Sequence, residues 1–421
     1  MDTPASEPAS ESASPPEPAP IRSISIETGA PADAAATDAL LRLVLCGGAA
    51  APRRALLLAC GGPAAALDAG PAQWRACGLD PLQIHGLRHD DALPALDRGR
   101  EWLCAPGHRL IGWHDPDYPA LLRRIAAPPL ALFVAGEPGL LWHPGVAVVG
   151  SRNPSAGGRD NAHRFAAEIA RSGLSVVSGL AAGVDRAAHE AALDAGGLTV
   201  AVLGTGPDVP YPKTHGPLLA RIAAHGAVVS EHPPGTEALR EHFPSRNRII
   251  AGLALGTLVV EAALRSGALI TARLAAEAGR EVFAIPGSIH NPTARGCHRL
   301  IRDGAALIES ADEAIAALGP WAATLGEHLR RHPAGPISAA SHSAGPNDSH
   351  PDVGAASFAV PSPDDPAYHR LWQALGHDPT DMDRLTERTG LTPATLSSML
   401  LVMELQGRVA ADHGRYSRRS R

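Results

Sequence analysis

From Val146 onward the chain alternates short apolar runs with helix-length segments, and this alternation restricts the fold more than any other feature. The runs are "VAVVG", "LSVVSG", "LTVAVLG", "GAVVSE", "GTLVVEA" and "EVFAIPG". Val and Ile dominate several of them, as expected of strands buried on both faces. Buried strands separated by helices make a parallel sheet with helices on both sides. The expected fold class is α/β, with a Rossmann-like, doubly wound parallel sheet as its core.

The rest of the chain divides around that core. The first residues, "MDTPASEPASESASPPEPAP", are acidic and rich in Pro, Ser and Ala, and residues 1–35 are read as a disordered tail. Residues 36–105 carry short helical stretches such as "APRRALLLACG", expected as a small N-terminal helical (SAM-like) domain. The core is placed at 106–318, opening on a loop-rich stretch from Gly112 to Pro138. Residues 319–365 are rich in Pro, Ser, Gly and His and are expected as a linker. In the last piece, 366–421, "DMDRLTERTG" and "TPATLSSMLLVMELQG" read as two helices, with Thr392 capping the second and Pro393 at its first position. With "RVAADHGRYSRR" as a hairpin, they make a C-terminal winged helix.

Composition narrows the partners. No run of about 18 apolar residues occurs, so no membrane span is expected. The start lacks the basic and apolar stretches of a signal peptide, which points to the cytoplasm. The five cysteines have no CxxC spacing, so neither a zinc site nor a disulfide framework is expected. The net charge of −6 argues weakly against a polyanion, but local fields matter more than totals. Lys213 is the sole lysine.

In such a sheet, ligands bind at the carboxyl ends of the strands. The first run delivers Ser151 and Arg152, the second Ser178 and Gly179, and the third a loop with Lys213. The fourth ends at Glu231 and is followed by Phe243, Arg246, Asn247 and Arg248. The fifth brings Glu261, Ser266 and Gly267. Backbone amides and guanidinium groups together suit several phosphates in a row. No GxGxxG follows the first run and no GxxxxGK[ST] occurs, so no dinucleotide, Walker-type ATP site or other cofactor is expected. Bland readings stand beside these. Arg152 could be a structural ion pair. Asp185 and His189, four apart, fit a surface or capping pair better than an acid–base couple. Glu261 lacks an obvious second acid or nucleophile to work with as a catalytic base. Cys297 and His298 are adjacent, which alone does not make a nucleophile.

Taken in order, "VAVVGSR", "VVSGLAAGVDRAAHEAAL", "TVAVLGTGPDVPYPK", "VVSEHPPG", "HFPSRNRIIAGL", "VVEAALRSGALITARLAAEAGREVFAIPG" and "GCHRLIRDGA" resemble the DNA-processing protein A (Smf) family. The resemblance implies a binding protein rather than an enzyme. It implies protection of incoming single-stranded DNA and loading of the recombinase RecA during natural transformation. Carried across, Arg152 and Lys213 are the expected DNA-binding cations. Ser151, Ser178, Gly179, Arg246, Asn247, Arg248, Ser266 and Gly267 belong to the same nucleic-acid site, with Phe243 as a stacking ring. The family forms homodimers, which here point to "CHRLIRDGAALI", with His298 and Leu307. His215 departs from the Asn of many relatives, and "LCGGAAAPRRALL" is a poor helix-hairpin-helix. Two rivals remain. A phosphoribohydrolase-like nucleotide enzyme would carry PGGxGTxxE where this chain reads "RSGALITA". A duplex-DNA regulator would need donors on "PATLSSMLLVMELQG", which has no Arg or Lys.

Overall fold

The computed structural model of the protein describes residues 34–89, 92–331, 366–406, 408–412 and 415–419. The expected tail before residue 34 and the expected linker beyond residue 331 lie outside the described residues.

Six helices come first: α1 (Ala34–Leu45), α2 (Ala50–Cys60), α3 (Pro63–Asp68), α4 (Gly70–Ala76), α5 (Pro81–Arg88) and α6 (Leu93–Leu103). Proline opens α3, α5 and α6, where a missing N–H costs nothing. Leu43, Leu56, Leu57, Trp74, Leu79 and Ile84 close their common core. Buried Arg53 ends α1 by donating to the carbonyls of Leu43, Val44 and Gly48 at 2.8, 3.1 and 2.7 Å. It thereby satisfies acceptors that a helix C-terminus leaves open.

The core is a nine-stranded sheet. Its strands are β1 (His108–Gly112), β2 (Ala131–Gly136), β3 (Gly145–Val149), β4 (Ser175–Ser178), β5 (Thr199–Val202), β6 (Ala227–Ser230), β7 (Gly256–Val259), β8 (Glu281–Ala284) and β9 (Ala306–Leu307). They lie in the order β1-β2-β6-β5-β4-β3-β7-β8-β9. Strands β3 to β8 are the six apolar runs, all parallel. The hairpin β1–β2 adds antiparallel to β6, with Phe133 opposite Ser230. The sequence pattern instead points to loop over this hairpin. Strand β2 is buried along five of its six residues, but Pro128, Pro129 and Pro138 beside it carry the punctuation of a loop.

The helices that follow are α7 (Ala120–Arg123), α8 (Ala156–Arg171), α9 (Val184–Asp194), α10 (Gly216–His225), α11 (His242–Leu253), α12 (Ala268–Glu277), α13 (Arg295–Arg302) and α14 (Ala311–Arg331). Side chains alternate across each strand. Val146 and Val148 meet Phe165 and Ile169 of α8 and Ala188 of α9 on one face. Ala147 and Val149 meet Ile249, Ile250 and Leu253 of α11 on the other. Phe165 and Ile169 stand four apart, so one stripe of α8 enters the core. Burying each contributes about 1.5–3 kcal/mol. Helix α14 continues past the expected boundary at residue 318, through Pro320 to Arg331. Ala322 and Leu325 pack on the core, which carries the helix beyond its proline.

The C-terminal piece is α15 (Pro366–Ala374), β10 (Thr380–Asp381), α16 (Met382–Thr389), α17 (Pro393–Leu405), β11 (Val409–Asp412) and β12 (Arg415–Arg418). Its three strands pair in the order β10-β12-β11. Thr392 caps α17, its hydroxyl accepting from Thr395 N at 3.3 Å. Leu371, Leu385, Leu396, Met399 and Met403 form its core. Helix, turn, helix and hairpin are those of a winged helix. No helix among the described residues is long and apolar enough to cross a membrane.

Candidate nucleic-acid interface

The loop after β3 is clamped from two sides. Ser151 N donates to the main-chain oxygen of Glu261 at 2.7 Å, and Ser151 O accepts from Val184 N at 3.1 Å. Gly183 (φ +86°) lies directly beneath, where a Cβ would come within 2.3 Å of Ser151 O and 2.7 Å of the Arg152 carbonyl. The loop leaves Arg152 exposed, with its guanidinium carbon 5.8 Å from the centre of the Phe243 ring. Tyr211 joins from the β5 loop, its ring 4.9 Å from that of Phe243 and inclined by 45°.

These three side chains border a cleft of about 730 Å³ at the carboxyl edge of the sheet. Arg246, Asn247, Ser266 and Gly267 also line it, so the structure brings these together with Arg152 and Phe243 as the sequence reading expected. Tyr211, Asp185 and Arg240 line it too, and that reading did not include them in the site. Tyr211 had a signal, standing two residues before Lys213 in "YPK". Arg240 had none in its surroundings.

The other expected residues are placed differently. Lys213 is exposed in the turn Lys213–His215 and is not among the residues lining the cleft. His215 is buried, and its Nδ1 donates to Leu180 O at 3.0 Å. Leu180 is the one non-glycine residue with positive φ (55°) among the described residues, so His215 steadies a strained turn. Ser178 is fully buried and donates to Val148 O at 2.6 Å. Gly179 lets the Arg246 guanidinium lie flat on the backbone, since a Cβ would come within 2.5 Å of it.

Arg246 is a floor rather than an open cation. It is 4% exposed and donates to Gly179 O at 2.7 Å and to Val202 O. Burial pushes its pKa down to about 10, opposed by the nearby Asp185 carboxylate, so it stays charged at neutral pH. Asp185 accepts from Gly179 N at 3.1 Å and Ala181 N at 3.4 Å, and burial pushes its carboxyl up against those bonds and Arg246. Its partner in the suspected pair, His189, faces Thr199 Oγ1 at 2.7 Å instead. Arg248 is committed to a bidentate pair with Glu231, at 2.9 and 2.6 Å, and is not a cleft residue. His298 Nε2 lies 2.9 Å from Gly287 O, while Leu307 on the edge strand β9 is 46% exposed. Cys297 is buried, and burial pushes its thiol up to about 12, away from the thiolate a nucleophile needs. Among the described residues no cluster of three or more His, Cys, Asp or Glu could hold a metal ion.

The cleft thus offers a cation for an anionic group beside ring faces for a flat one. Comparison with known proteins gives this geometry a family. The model of the DNA recombination-mediator protein A family matches residues 109–319, and that of the DprA winged helix domain matches residues 355–415. Protein Smf of Escherichia coli is 40% identical over 320 residues, covering 75% of this chain and 79% of that protein. The DNA processing protein DprA of Bacillus subtilis is 44% identical over 237 residues, covering 56% and 80%. The X-ray structure of DNA processing protein A from Streptococcus pneumoniae superposes with a TM-score of 0.59 at 38% identity, covering 66% of this chain and 97% of that one. The chain belongs to the DNA processing protein A family.

Proposed function

We propose that the chain binds single-stranded DNA in the cleft at the carboxyl edge of its sheet. Arg152 holds a phosphate in the cleft, Lys213 on the turn outside the cleft lining holds another, and unpaired bases rest against Tyr211 and Phe243. The observation that carries this reading is the juxtaposition of the exposed Arg152 guanidinium with the Phe243–Tyr211 ring pair. A cation next to a π-face is what a flexible single strand, with phosphate and base both free, can use at once. In the cell the protein protects incoming strands in the cytoplasm and hands them to RecA during transformation, acting as a homodimer without cofactor or metal.

Two further observations favour binding over its rivals. The Glu261 side chain accepts from Ser155 N, Ser155 Oγ, Asn291 Nδ2 and Thr293 Oγ1, which leaves it poorly placed to act as a catalytic base. Helix α17 carries no Arg or Lys, and Leu401 is 57% exposed, a surface ill suited to reading duplex grooves.

The test is binding of labelled single- and double-stranded oligonucleotides across a salt series, with and without ATP and Mg²⁺. Single strands are expected to win without either additive. Each phosphate contact contributes roughly 1.5–3 kcal/mol, and about 0.7 to the log–log salt slope. Arg152→Ala and Lys213→Ala each weaken binding about 10-fold or more and flatten that slope. A folded Arg152→Ala protein with unchanged affinity and slope refutes the assignment, as does a strict need for ATP or metal.

A further inference from the structure

The head of α8 is where the phosphate of a dinucleotide ligand would sit on a sheet of this kind, because the first amides of that helix point outward unpaired. Here the protein fills the place itself. Glu261, 3% exposed at the end of β7, reaches across to it. Its carboxylate accepts from Ser155 N at 3.2 and 3.1 Å, from Ser155 Oγ at 2.8 Å, from Asn291 Nδ2 at 3.4 Å and from Thr293 Oγ1. Ser155 Oγ in turn accepts from Gly158 N at 3.0 Å, so this residue caps α8 with its oxygen while its hydroxyl donates to the carboxylate. Room for this exists because residue 158 is glycine. A Cβ there would stand 1.7 Å from Glu261 Oε2. The backbone of the same glutamate holds Ser151 N at 2.7 Å. One residue therefore fixes both ends of the segment Ser151–Ser155, and Arg152 lies inside it.

We propose that Glu261 is a positioning residue for DNA binding: a built-in anion that takes the phosphate seat at the head of α8 and so holds the Ser151–Ser155 loop with Arg152 presented to the cleft. This rests on the reading of the cleft as a single-strand site. It explains why a Rossmann-like sheet here lacks both the glycine signature and the free helix head of a nucleotide-binding site. The negative charge that would come with a ligand is supplied by the chain, and the cation stands exposed on the loop, where a polymer can reach it.

The experiment uses the full chain with Glu261→Gln, Arg152→Ala, the double variant of these two, and Glu261→Ala. Fluorescein-labelled oligo-dT is the DNA probe, and inorganic phosphate the probe for the vacated seat. Glu261→Gln is expected to weaken oligo-dT about 5- to 10-fold, the size of a lost charge-assisted contact. In the Arg152→Ala background the same change is expected to do almost nothing, because the glutamate acts through that arginine. Hydrogen exchange of the peptide spanning Ser151–Ser155 is expected to rise in Glu261→Gln. Phosphate, against chloride of equal ionic strength, is expected to raise the melting temperature of Glu261→Ala, which empties the seat, and not that of the unaltered protein. Additive losses in the two backgrounds overturn the proposal, as does unchanged exchange together with no phosphate effect. If the unaltered protein fails to bind oligo-dT, the single-strand reading falls, while exchange and phosphate still decide what Glu261 holds. Should Glu261→Gln not fold, Thr293→Val removes one donor from the same carboxylate and takes its place in the cycle, with an expected loss of about 2- to 3-fold.

Discussion

Replacing Gly183 by alanine tests the clamp under Arg152 from the side opposite Glu261. Two costs can be separated. The first is conformational: at φ 86°, ψ −122° the backbone occupies ground that side-chain-bearing residues avoid, and a residue held there costs about 1–3 kcal/mol. The second is collision. The new Cβ would meet Ser151 O at 2.3 Å and the Arg152 carbonyl at 2.7 Å, and both are backbone, so no side chain can swing aside. Displacing a packed loop costs a further 1–2 kcal/mol or so. Gly196 supplies the control. It has φ +68° at the far end of the same helix, and a Cβ there meets nothing within 4 Å. Gly196→Ala therefore carries the first cost alone. With about 2–4 °C lost per kcal/mol in a domain of this size, Gly183→Ala is expected to melt roughly 4–20 °C lower and Gly196→Ala about 2–12 °C lower. Scanning calorimetry measures both, and oligo-dT anisotropy measures the consequence for Arg152. Gly183→Ala is expected to lose affinity and Gly196→Ala to keep it. If the two variants melt alike and bind alike, the contact with the Ser151–Arg152 backbone is not what requires glycine at 183.

Other expectations are simpler. The hydroxyl of Thr199 already donates to Val176 O, so His189 must donate through Nδ1, leaving Nε2 buried and bare; burial pushes this histidine down to about 3. A pKa depressed in the folded state means that the unfolded chain gains protons first, so this residue erodes stability as pH falls below about 6.5, by roughly 2–3 kcal/mol at pH 4.5. Denaturant titrations of His189→Gln are expected to show that much less loss over the same interval. Arg248→Ala strands the Glu231 carboxylate and is expected to cost about 1–3 kcal/mol in urea unfolding while changing oligo-dT affinity less than 2-fold. Leu307→Arg, on the exposed edge strand, is expected to give monomers by light scattering that still bind DNA weakly; an unchanged dimer mass counts against that edge as the interface.

Strands β3 to β8 could be read from the sequence because each is a continuous apolar run between turn residues, a pattern little else produces. The hairpin β1–β2 could not, because prolines surround an equally apolar segment and its partner lies on β6, far along the chain. The place of Arg152 at the cleft was legible, since the residues after the first apolar run fall at the carboxyl edge of the sheet. Arg246 and Arg248 were misjudged as a pair, and their spacing already held the correction. Residues two apart on a helix point about 200° away from each other, so they could not both face one cleft. The structure puts the first under the cleft floor and the second on Glu231. Tyr211 and Arg240 join the site only through loops that the fold brings together, and no local pattern announces them. Glu261 was noticed as a strand-end acid, but its four donors come from Ser155, Asn291 and Thr293, which sequence distance hides.

The pairing of β2 with β6 has a consequence for how the protein is made. Phe133 waits for Ser230, 97 residues later (230 − 133), before its strand is closed on that side. At about 5–20 residues per second on the ribosome, the wait lasts roughly 5–20 s. Throughout it the nascent chain holds a buried-type apolar strand with one edge covered by β1 and the other bare, the arrangement that most readily recruits a neighbouring chain. A slowly translated or crowded message would therefore lose product between residues 136 and 227, before Phe243, Arg246 and the rest of the far wall of the cleft have been made.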